Sequence, residues 1–283
     1  MTWIESIQTA IDFIEEHLLD DLSIESIAGQ ANFSVFHFQR TFTILTDISI
    51  GDYIRRRRLA LAAHELMETS AKVIDIAYKY GYDTPEAFTK AFRRQHGVTP
   101  SDARKNSGKL TSYNRLVIQV NLKGAEPMEY KIVEREGFKV AGMKREFSLV
   151  NEENNKGIPE MWEKVNSDGT DELLFRLNDG AIEGVLGVCV DKSSHSIDYW
   201  IGTTYDGSPP DGLSILDIPS SKWAVFGVHG PMPDAMQNAW KKIFSEWFPS
   251  SGYQHAGTPE LEVYSEEDPA DPDLYSEIWI PVK

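Results

Sequence analysis

Apolar residues recur at three- and four-residue steps through roughly the first hundred residues of the chain. Ile7, Ile11 and Ile14 follow this spacing and predict an amphipathic helix. Ser23 stands where an N-cap is expected before a short helix, and Ser34 stands before a longer one. A short helix, a tight turn and a second helix are the parts of a helix-turn-helix unit.

The second helix of this predicted unit has two different faces. Phe38 and Phe42 are four residues apart on a face that we expect to be buried, while Phe36, Gln39 and Arg40 lie on another face. The outer face therefore presents polar and basic groups for contact with another molecule.

The same pattern returns roughly fifty residues later. Thr84 is a predicted N-cap, and Pro85 occupies the first helical position, where its missing N–H costs nothing. The outer face of this second helix carries Glu86, Lys90 and Arg93. A longer helix predicted over residues 52–68 joins the two units. It would hold two recognition helices at a separation that suits major-groove segments about 34 Å apart.

From residue 128 the pattern changes to the alternation that is typical of strands. The predicted elements are, in order, strands 128–135 and 138–145, a helix around 158–165, strands near 173–177, 184–190 and 196–204, strand 222–230, helix 232–248, and strands 260–264 and 275–282. The order strand–helix–strand–strand occurs twice. It predicts an α+β domain whose antiparallel sheet carries helices on one face and has pseudo-twofold symmetry.

Alternation within these strands separates an aliphatic face, suited to helix packing, from a face rich in aromatic and acidic side chains. The residues that we assign to this second face are Trp200, Glu262, Tyr264, Tyr275, Glu277 and Trp279. Aromatic rings attract cations, and a partly desolvated carboxylate pairs with one. The pattern thus indicates a site for a lipophilic cation. The alternative is an ordinary half-exposed sheet in which Tyr and Trp reflect β-propensity.

Charge is distributed unevenly along the 283 residues. The net charge is -16, which by itself disfavours nucleic acid, but residues 1–110 hold 13 Lys and Arg against 15 Asp and Glu, while the remainder holds 15 against 29. Within the first part, segments 34–58 and 87–109 carry net charges of +3 and +5. Two such basic patches suit contact with a polyanion, although solvated helix faces give the same pattern.

Several classes of protein are excluded by composition and motif. A single cysteine, Cys189, excludes a disulfide framework, and apolar runs such as 184–190 are far shorter than the roughly 20 residues of a membrane span. The acidic first residues do not resemble a signal peptide, so we expect a cytoplasmic location. The segment 64–68 lacks the second histidine of a zinc-protease helix, and we expect no catalytic residue, metal or cofactor.

Over about 100 residues the chain resembles the DNA-binding domain of the AraC/XylS family. The resemblance rests on IESIAGQANFSVFHFQRTF, RLALA and VIDIAYKYGYDTPEAFTKAFRRQHGVTPSDAR. It implies an all-α tandem helix-turn-helix domain over 1–108, with double-stranded DNA and RNA polymerase as partners. It assigns the base-facing positions of the two recognition helices to Phe36, Gln39 and Arg40, and to Glu86, Thr89 and Lys90. Arginine suits guanine, and glutamine suits adenine.

The same resemblance gives the remaining basic residues other roles. Arg93, Arg94 and the run 55–57 match positions that contact phosphate or solvent. Arg58 matches a position that is used inside the fold. After residue 108, residues 109–127 are expected to form a linker.

Residues 128–283 resemble the GyrI-like small-molecule-binding domain. The resemblance rests on MEYKIVEREGFKVAG, IPEMWEKV, PELEVYS, SEIWIPVK and the segment from 223 to 254. It implies that a central acidic residue anchors a cationic or aromatic ligand, with Glu262 as the first match and Glu277 as the second. Trp162 matches a helix position that borders the pocket, although its spacing alone would also fit a core residue.

Together these features predict a transcription regulator whose second domain binds a small effector, cationic or aromatic. The alternative is a GyrI-like hydrolase of reactive aromatic compounds, in which a pocket glutamate is the general base. Fusion to two helix-turn-helix units favours the regulator.

Overall fold

The computed structural model describes residues 3–105, 108–118, 127–149, 153–193, 195–257 and 259–283. It contains two compact units: most of residues 3–118 belong to the first, and residues 127–283 form most of the second. The two-domain layout and the change from helices to a sheet are as predicted. Residues 119–126 of the expected linker lie outside the described residues. Among the described helices, each is too short or too polar to cross a bilayer.

The regular secondary structure described in the first unit consists of helices. Its helices are α1 (Trp3–Glu16), α2 (Ile24–Gln30), α3 (Val35–Thr46), α4 (Ile50–Glu68), α5 (Val73–Lys79), α6 (Pro85–His96) and α7 (Pro100–Arg104). Helices α2 and α3 form one helix-turn-helix unit, α5 and α6 form the other, and α4 joins them, which confirms the predicted duplication. The short α7 was not predicted; Thr99 caps it by accepting a hydrogen bond of 3.2 Å from the N–H of Asp102.

Side-chain caps set the ends of these helices. The hydroxyls of Ser23 and Thr84 each accept a backbone N–H at 3.1 Å, which confirms both predicted N-caps. Helix α4 begins two residues earlier than predicted because Ser49, not a later residue, is its cap. Gly97 ends α6 with a φ of 75°, a left-handed conformation that glycine adopts without strain.

Buried phenylalanines hold each helix-turn-helix unit together. Phe38 and Phe42 of α3 are 0% and 1% exposed, and Phe88 and Phe92 of α6 are both 0% exposed. The second pair packs with Leu59 of α4 in one apolar cluster. The predicted inner faces of both recognition helices are therefore confirmed.

The second unit combines a sheet with helices. Its elements are β1 (Tyr130–Arg135), β2 (Phe138–Ser148), α8 (Glu153–Ser167), α9 (Thr170–Leu177), β3 (Val185–Ser193), β4 (Ser196–Thr204), β5 (Ser214–Ile218), β6 (Ser221–His229), α10 (Asp234–Lys242), a π-helical turn (Ile243–Trp247), α11 (Phe248–Ser251), β7 (Glu260–Tyr264) and β8 (Tyr275–Val282). Strand β5 was not predicted.

The strand predicted near 173–177 is wrong, because this segment belongs to helix α9. A short apolar run does not distinguish a buried strand from a helix turn. Asp171 and Glu172 in the first turn favour the helix through its dipole, and Glu172 lies one turn from Arg176 on the exposed side. Leu174 faces the interior and is fully buried.

The eight strands found among the described residues form one antiparallel sheet in the order β1-β6-β8-β7-β3-β4-β2-β5. The first half is β2, α8 with α9, β3 and β4, and the second half is β6, α10, β7 and β8. The two halves meet at the β3–β7 pair, and β5 and β1 close the two ends. This arrangement confirms the predicted duplication of strand–helix–strand–strand.

The two faces of the sheet have different surroundings. The helix-side face packs against the helices, as the ring contacts of Trp162 with Tyr264 and of Trp247 with Phe226 show. The sheet curls so that its opposite face, called the inner face below, encloses a separate hydrophobic core. Phe138 of β2 lies 6.5 Å from Trp223 of β6, centroid to centroid, although these strands are not neighbours. The buried residues of this core are Val140, Ile182, Leu186, Val188, Trp200, Ile218, Trp223, Val225, Leu261, Val263 and Trp279.

Candidate functional site

Glu262 lies on the helix-side face of β7, next to the junction of the two halves of the sheet. Its carboxylate accepts two hydrogen bonds, from Trp240 Nε1 to Oε1 at 2.7 Å and from the Tyr264 hydroxyl to Oε2 at 3.0 Å. Both donors are neutral groups, and these bonds orient the carboxylate. Trp240 comes from α10, which ties the helix of the second half to the central strand.

A hydrogen-bonded pair of aromatic residues, Trp162 and Tyr199, lies beside Glu262 and Tyr264. Trp162 of α8 donates its Nε1–H to the Tyr199 hydroxyl at 2.8 Å. The Trp162 ring also meets Tyr264 edge-on, with 4.9 Å between centroids and 69° between planes. Trp162, Tyr199, Trp240, Glu262 and Tyr264 are called the Glu262 site below. The site joins one carboxylate to four aromatic rings from both halves of the domain.

Gly187 of β3 lies directly opposite Glu262 in the strand pairing. A Cβ atom at this position would lie 2.5 Å from the Tyr199 hydroxyl oxygen and 3.3 Å from Cζ2 of Trp162. The absence of a side chain is therefore what allows the Trp162–Tyr199 pair to lie across β3.

The predicted grouping of both glutamates on one face is wrong. In the β7–β8 pairing, Glu262 lies opposite Ile278 and Val263 lies opposite Glu277. Directly opposed residues share a face, so Glu277 lies on the inner face. Trp200, Tyr275 and Trp279 share the inner face with it. The alternation of residues along one strand does not reveal how that strand pairs with its neighbour. A shift of one residue in this pairing moves every side chain of the strand to the other face of the sheet.

The carboxylate of Glu277 is hydrogen-bonded by side chains of its own domain. Its carboxylate accepts hydrogen bonds from the Tyr275 hydroxyl at 2.8 Å and Trp279 Nε1 at 2.7 Å, and Lys131 Nζ lies at 3.1 Å. Burial by itself would raise the pKa of Glu277, but these three donors outweigh it and the pKa is lowered. The residue is an internally neutralised carboxylate.

The corresponding strand of the first half repeats this arrangement. Asp198 precedes Trp200 by two residues, as Glu277 precedes Trp279, and Lys144 lies 3.3 Å from Asp198 and above the Trp200 ring at 5.6 Å. Trp200 and Trp279 are only 5% and 4% exposed. Both tryptophans belong to the core on the inner face, whereas Glu262 lies on the other face of the sheet, so they do not line the Glu262 site.

The structure therefore divides the predicted ligand residues. It brings Glu262, Tyr264 and Trp162 together and adds Tyr199 and Trp240, which the sequence reasoning missed. Tyr199 was hidden on the strand face assigned to aliphatic packing. Trp240 occurs at the spacing of an ordinary buried helix stripe, so its sequence context carries no distinguishing signal.

The proposed DNA-contacting residues lie on α3 and α6. On α6, Glu86, Lys90 and Arg93 are exposed and Thr89 is half-buried. On α3, the side chains of Phe36, Gln39 and Arg40 are all half-buried.

The arginines of α4 are used mainly inside the first unit. Arg57 forms a bidentate salt bridge with Glu15 at 2.7 and 2.8 Å. The side chains of Arg57 and Glu15 are only 13% and 8% exposed, so the expected contact of Arg57 with phosphate or solvent is wrong. Arg58 donates to the carbonyls of Leu18 and Asp20 at 2.6 and 2.9 Å, in agreement with its expected place inside the fold.

Comparison with known proteins gives separate matches for the two units. The family of integron-associated effector binding proteins, Cass2, matches residues 131–282, and a helix-turn-helix domain family matches residues 27–106. The regulatory protein SoxS of Salmonella typhimurium is 43% identical over 98 residues, which are 35% of this chain and 92% of SoxS. The transcriptional activator AarP of Providencia stuartii is 40% identical over 106 residues, covering 38% and 76% of the two chains.

A solved structure is similar to the second unit. It is SAV2435 bound to tetraphenylphosphonium, with a TM-score of 0.51 and 25% sequence identity. The match covers 55% of this chain and 94% of SAV2435.

Proposed function

This chain belongs to the AraC-type helix-turn-helix regulators and to the integron-associated effector binding proteins, and we propose that its effector is a lipophilic cation bound at the Glu262 site. The chain is a DNA-binding transcription regulator with a domain for a small ligand. The identity of the site, the class of ligand and the residues that contact DNA are our proposals.

The proposal rests on the side chains that surround Glu262. Trp240 and Tyr264 orient the carboxylate of Glu262 among aromatic rings, and a carboxylate among aromatic rings is the chemistry that suits a lipophilic cation. The half-buried rings of Trp162 and Tyr264 supply apolar walls and faces of negative potential, which a cation with hydrophobic substituents would contact. The tetraphenylphosphonium bound by SAV2435 is a ligand of this class and supports the proposal.

For DNA we propose two contact surfaces on the recognition helices. Arg40 and Lys90 suit guanine edges, Gln39 suits adenine, and Glu86 can only accept, for example from cytosine N4. Phe36 and Thr89 can pack on thymine methyl groups, and Arg93 suits a phosphate.

We also infer the cellular location of the protein and its partner in transcription. A regulator that binds DNA works where the chromosome is, so we assign it to the cytoplasm, and it would affect transcription through RNA polymerase.

We propose that the second unit binds its ligand without converting it. The fusion of this unit to two helix-turn-helix units supports the sensing of a ligand over its conversion. The curated relatives described above are regulators of transcription.

The test is a tryptophan-fluorescence titration of the intact protein with tetraphenylphosphonium and with neutral triphenylphosphine oxide. Glu262→Gln should weaken cation binding tenfold or more, since about 1.4 kcal/mol corresponds to a factor of ten, and should leave binding of the neutral compound unchanged. Glu277→Gln is the matched control on the inner face and should bind both compounds as the unaltered protein does.

Equal cation affinity in the unaltered protein and in Glu262→Gln would refute the site. Mass spectrometry after incubation with a reactive aromatic ester separates the two functions. Glutamate-dependent loss of the ester would support the hydrolase instead.

A further inference from the structure

Residues 108–118, most of which fall in the expected linker 109–127, pack on the first unit; they are called the strap below. Leu110 contacts the apolar cluster of the second helix-turn-helix unit. The next residue, Thr111, donates its backbone N–H to Nδ1 of His96 at 3.2 Å. His96 is the last residue of α6, so the strap is anchored on the second recognition helix.

His96 is held in one tautomer by this contact. Because Nδ1 accepts from Thr111, it carries no proton, and Nε2–H is the donor to the Leu59 carbonyl at 3.2 Å. Burial lowers the pKa of His96, which is consistent with a neutral ring. The imidazole therefore links the strap, α6 and α4.

The middle of the strap is bound by two arginines of α4. The Tyr113 carbonyl accepts from Nη1 of Arg57, and the Tyr113 ring lies under the Arg56 guanidinium at 5.1 Å. The same Arg57 binds Glu15 of α1 through its other nitrogens.

The end of the strap is bound to α4 and α1. The Leu116 N–H donates to the Tyr53 hydroxyl at 3.0 Å, and that hydroxyl donates to Glu15 at 2.6 Å. The Ile118 N–H donates to the Gln8 side chain at 2.9 Å. Backbone groups of an irregular segment are usually left to water, whereas here three N–H groups and one carbonyl are bound by side chains of three helices.

Tyr53 also connects the strap with the first recognition helix. Its ring lies 5.8 Å from Phe42 of α3, centroid to centroid. At one end the strap thus contacts Tyr53, which packs against α3, and at the other end it contacts His96, the last residue of α6.

We propose that the strap sets the spacing of the two recognition helices, with Tyr53 and His96 as positioning residues for DNA binding. The proposal rests on the proposed roles of α3 and α6. A fixed spacing lets both helices enter the major groove together, and a loosened strap would tolerate other spacings.

The experiment uses the full chain and a DNA site selected from random sequence. Binding is measured on this site and on the same site with one base pair inserted between its two contacted segments. The ratio of the two dissociation constants reports how strictly the spacing is set. Tyr53→Phe removes the side-chain acceptor of the Leu116 N–H, and the double variant Tyr53→Phe/Gln8→Leu also removes that of the Ile118 N–H. Both variants preserve apolar packing.

We expect the ratio to fall at least fivefold in the double variant and less in Tyr53→Phe. Tyr80→Phe is the matched control, because it removes a buried hydroxyl that donates to Glu65 at 2.9 Å and does not contact the strap. That control should lower stability while leaving the ratio unchanged. Amide exchange at Leu116 and Ile118 should accelerate in the double variant.

An unchanged ratio in a folded double variant would overturn the strap proposal. If the double variant fails to fold, the ratio in Tyr53→Phe decides the matter in the same way. Failure of the DNA-contact proposal is distinguishable, because Arg40→Ala and Lys90→Ala would then leave binding to the selected site unchanged.

Discussion

The indole N–H of Trp240 donates to the carboxylate of Glu262 across 2.7 Å, and this bond joins helix α10 to the central strand β7. The contact orients the carboxylate from one side, while the Tyr264 hydroxyl orients it from the other. An oriented carboxylate needs no rearrangement to meet a cation, which lowers the entropic cost of binding.

Trp240→Phe should destabilise the second unit. Phenylalanine keeps an aromatic ring that can stack on Phe244, where the indole now lies at 5.4 Å, but it leaves Glu262 without one of its donors. A hydrogen bond to a charged group contributes about 1.5–3 kcal/mol, and water would replace part of it, so we expect a loss of about 1–2 kcal/mol. Urea unfolding followed by near-ultraviolet circular dichroism measures this loss, and an unchanged midpoint would contradict the assigned role.

Gly187→Ala should weaken binding at the Glu262 site about tenfold. The added methyl group would lie 2.5 Å from the Tyr199 hydroxyl oxygen, so the Trp162–Tyr199 pair must shift. Isothermal titration with tetraphenylphosphonium gives the affinity. Gly51→Ala is a control for the type of substitution, since its added methyl group would meet no atom beyond the adjoining residues of its own helix within 4 Å, and alanine favours helix α4. Full affinity in Gly187→Ala would show that the pair does not line the site.

Acid should weaken the first unit through Glu15. Burial by itself would raise the pKa of Glu15, but the hydrogen bonds from Arg57 and Tyr53 outweigh it, and the pKa lies below its ordinary value of 4.5. A lowered pKa contributes stability that is present above pH 4.5 and is lost as the pH falls through the folded-state value.

Glu15→Gln should remove this pH dependence. At pH 7 we expect a loss of about 2 kcal/mol, because Arg57 keeps its charge without its partner. Denaturation followed at 222 nm at pH 7 and pH 4 should then show a smaller difference between the two pH values than in the unaltered protein. An identical difference would assign the acid sensitivity to other carboxylates.

Removal of single basic groups should separate base contacts from phosphate contacts. Arg40→Ala should cost about 1–3 kcal/mol on the selected DNA site and relax base preference there, whereas Arg93→Ala should reduce the salt slope by about one. Fluorescence anisotropy from 50 to 200 mM salt measures both effects. Arg176→Ala in α9 is the control and should change neither. A loss of base preference in Arg93→Ala would move that residue into the base-contacting set.

Local patterns were sufficient for the first unit. The caps Ser23 and Thr84, the glycine end at Gly97 and the buried pairs Phe38–Phe42 and Phe88–Phe92 all depend on residues a few positions apart. Such features are encoded within one helical turn, so the sequence contains them in full. The same reason explains why the strand–helix–strand–strand order of the second unit was predictable.

Contacts between distant segments were not predictable in this way. Arg57 is buried beside Glu15, and the strap is bound by Tyr53 and His96, because helices far apart in sequence pack together. In the arginine run of α4, nothing in the local pattern distinguishes Arg57 from its exposed neighbour Arg55.

The sequence by itself determined the two-domain order, the helix-turn-helix duplication and the alternation within each strand. Only the tertiary structure decided that Glu262 faces the helices with Trp162 and Trp240, while Glu277 faces the inner core with Lys131. The physical reason is that alternation defines two faces of a strand, but hydrogen bonding between strands determines which face joins which. A register of one residue therefore separates the carboxylate for which we propose cation binding from the one that is paired with a lysine.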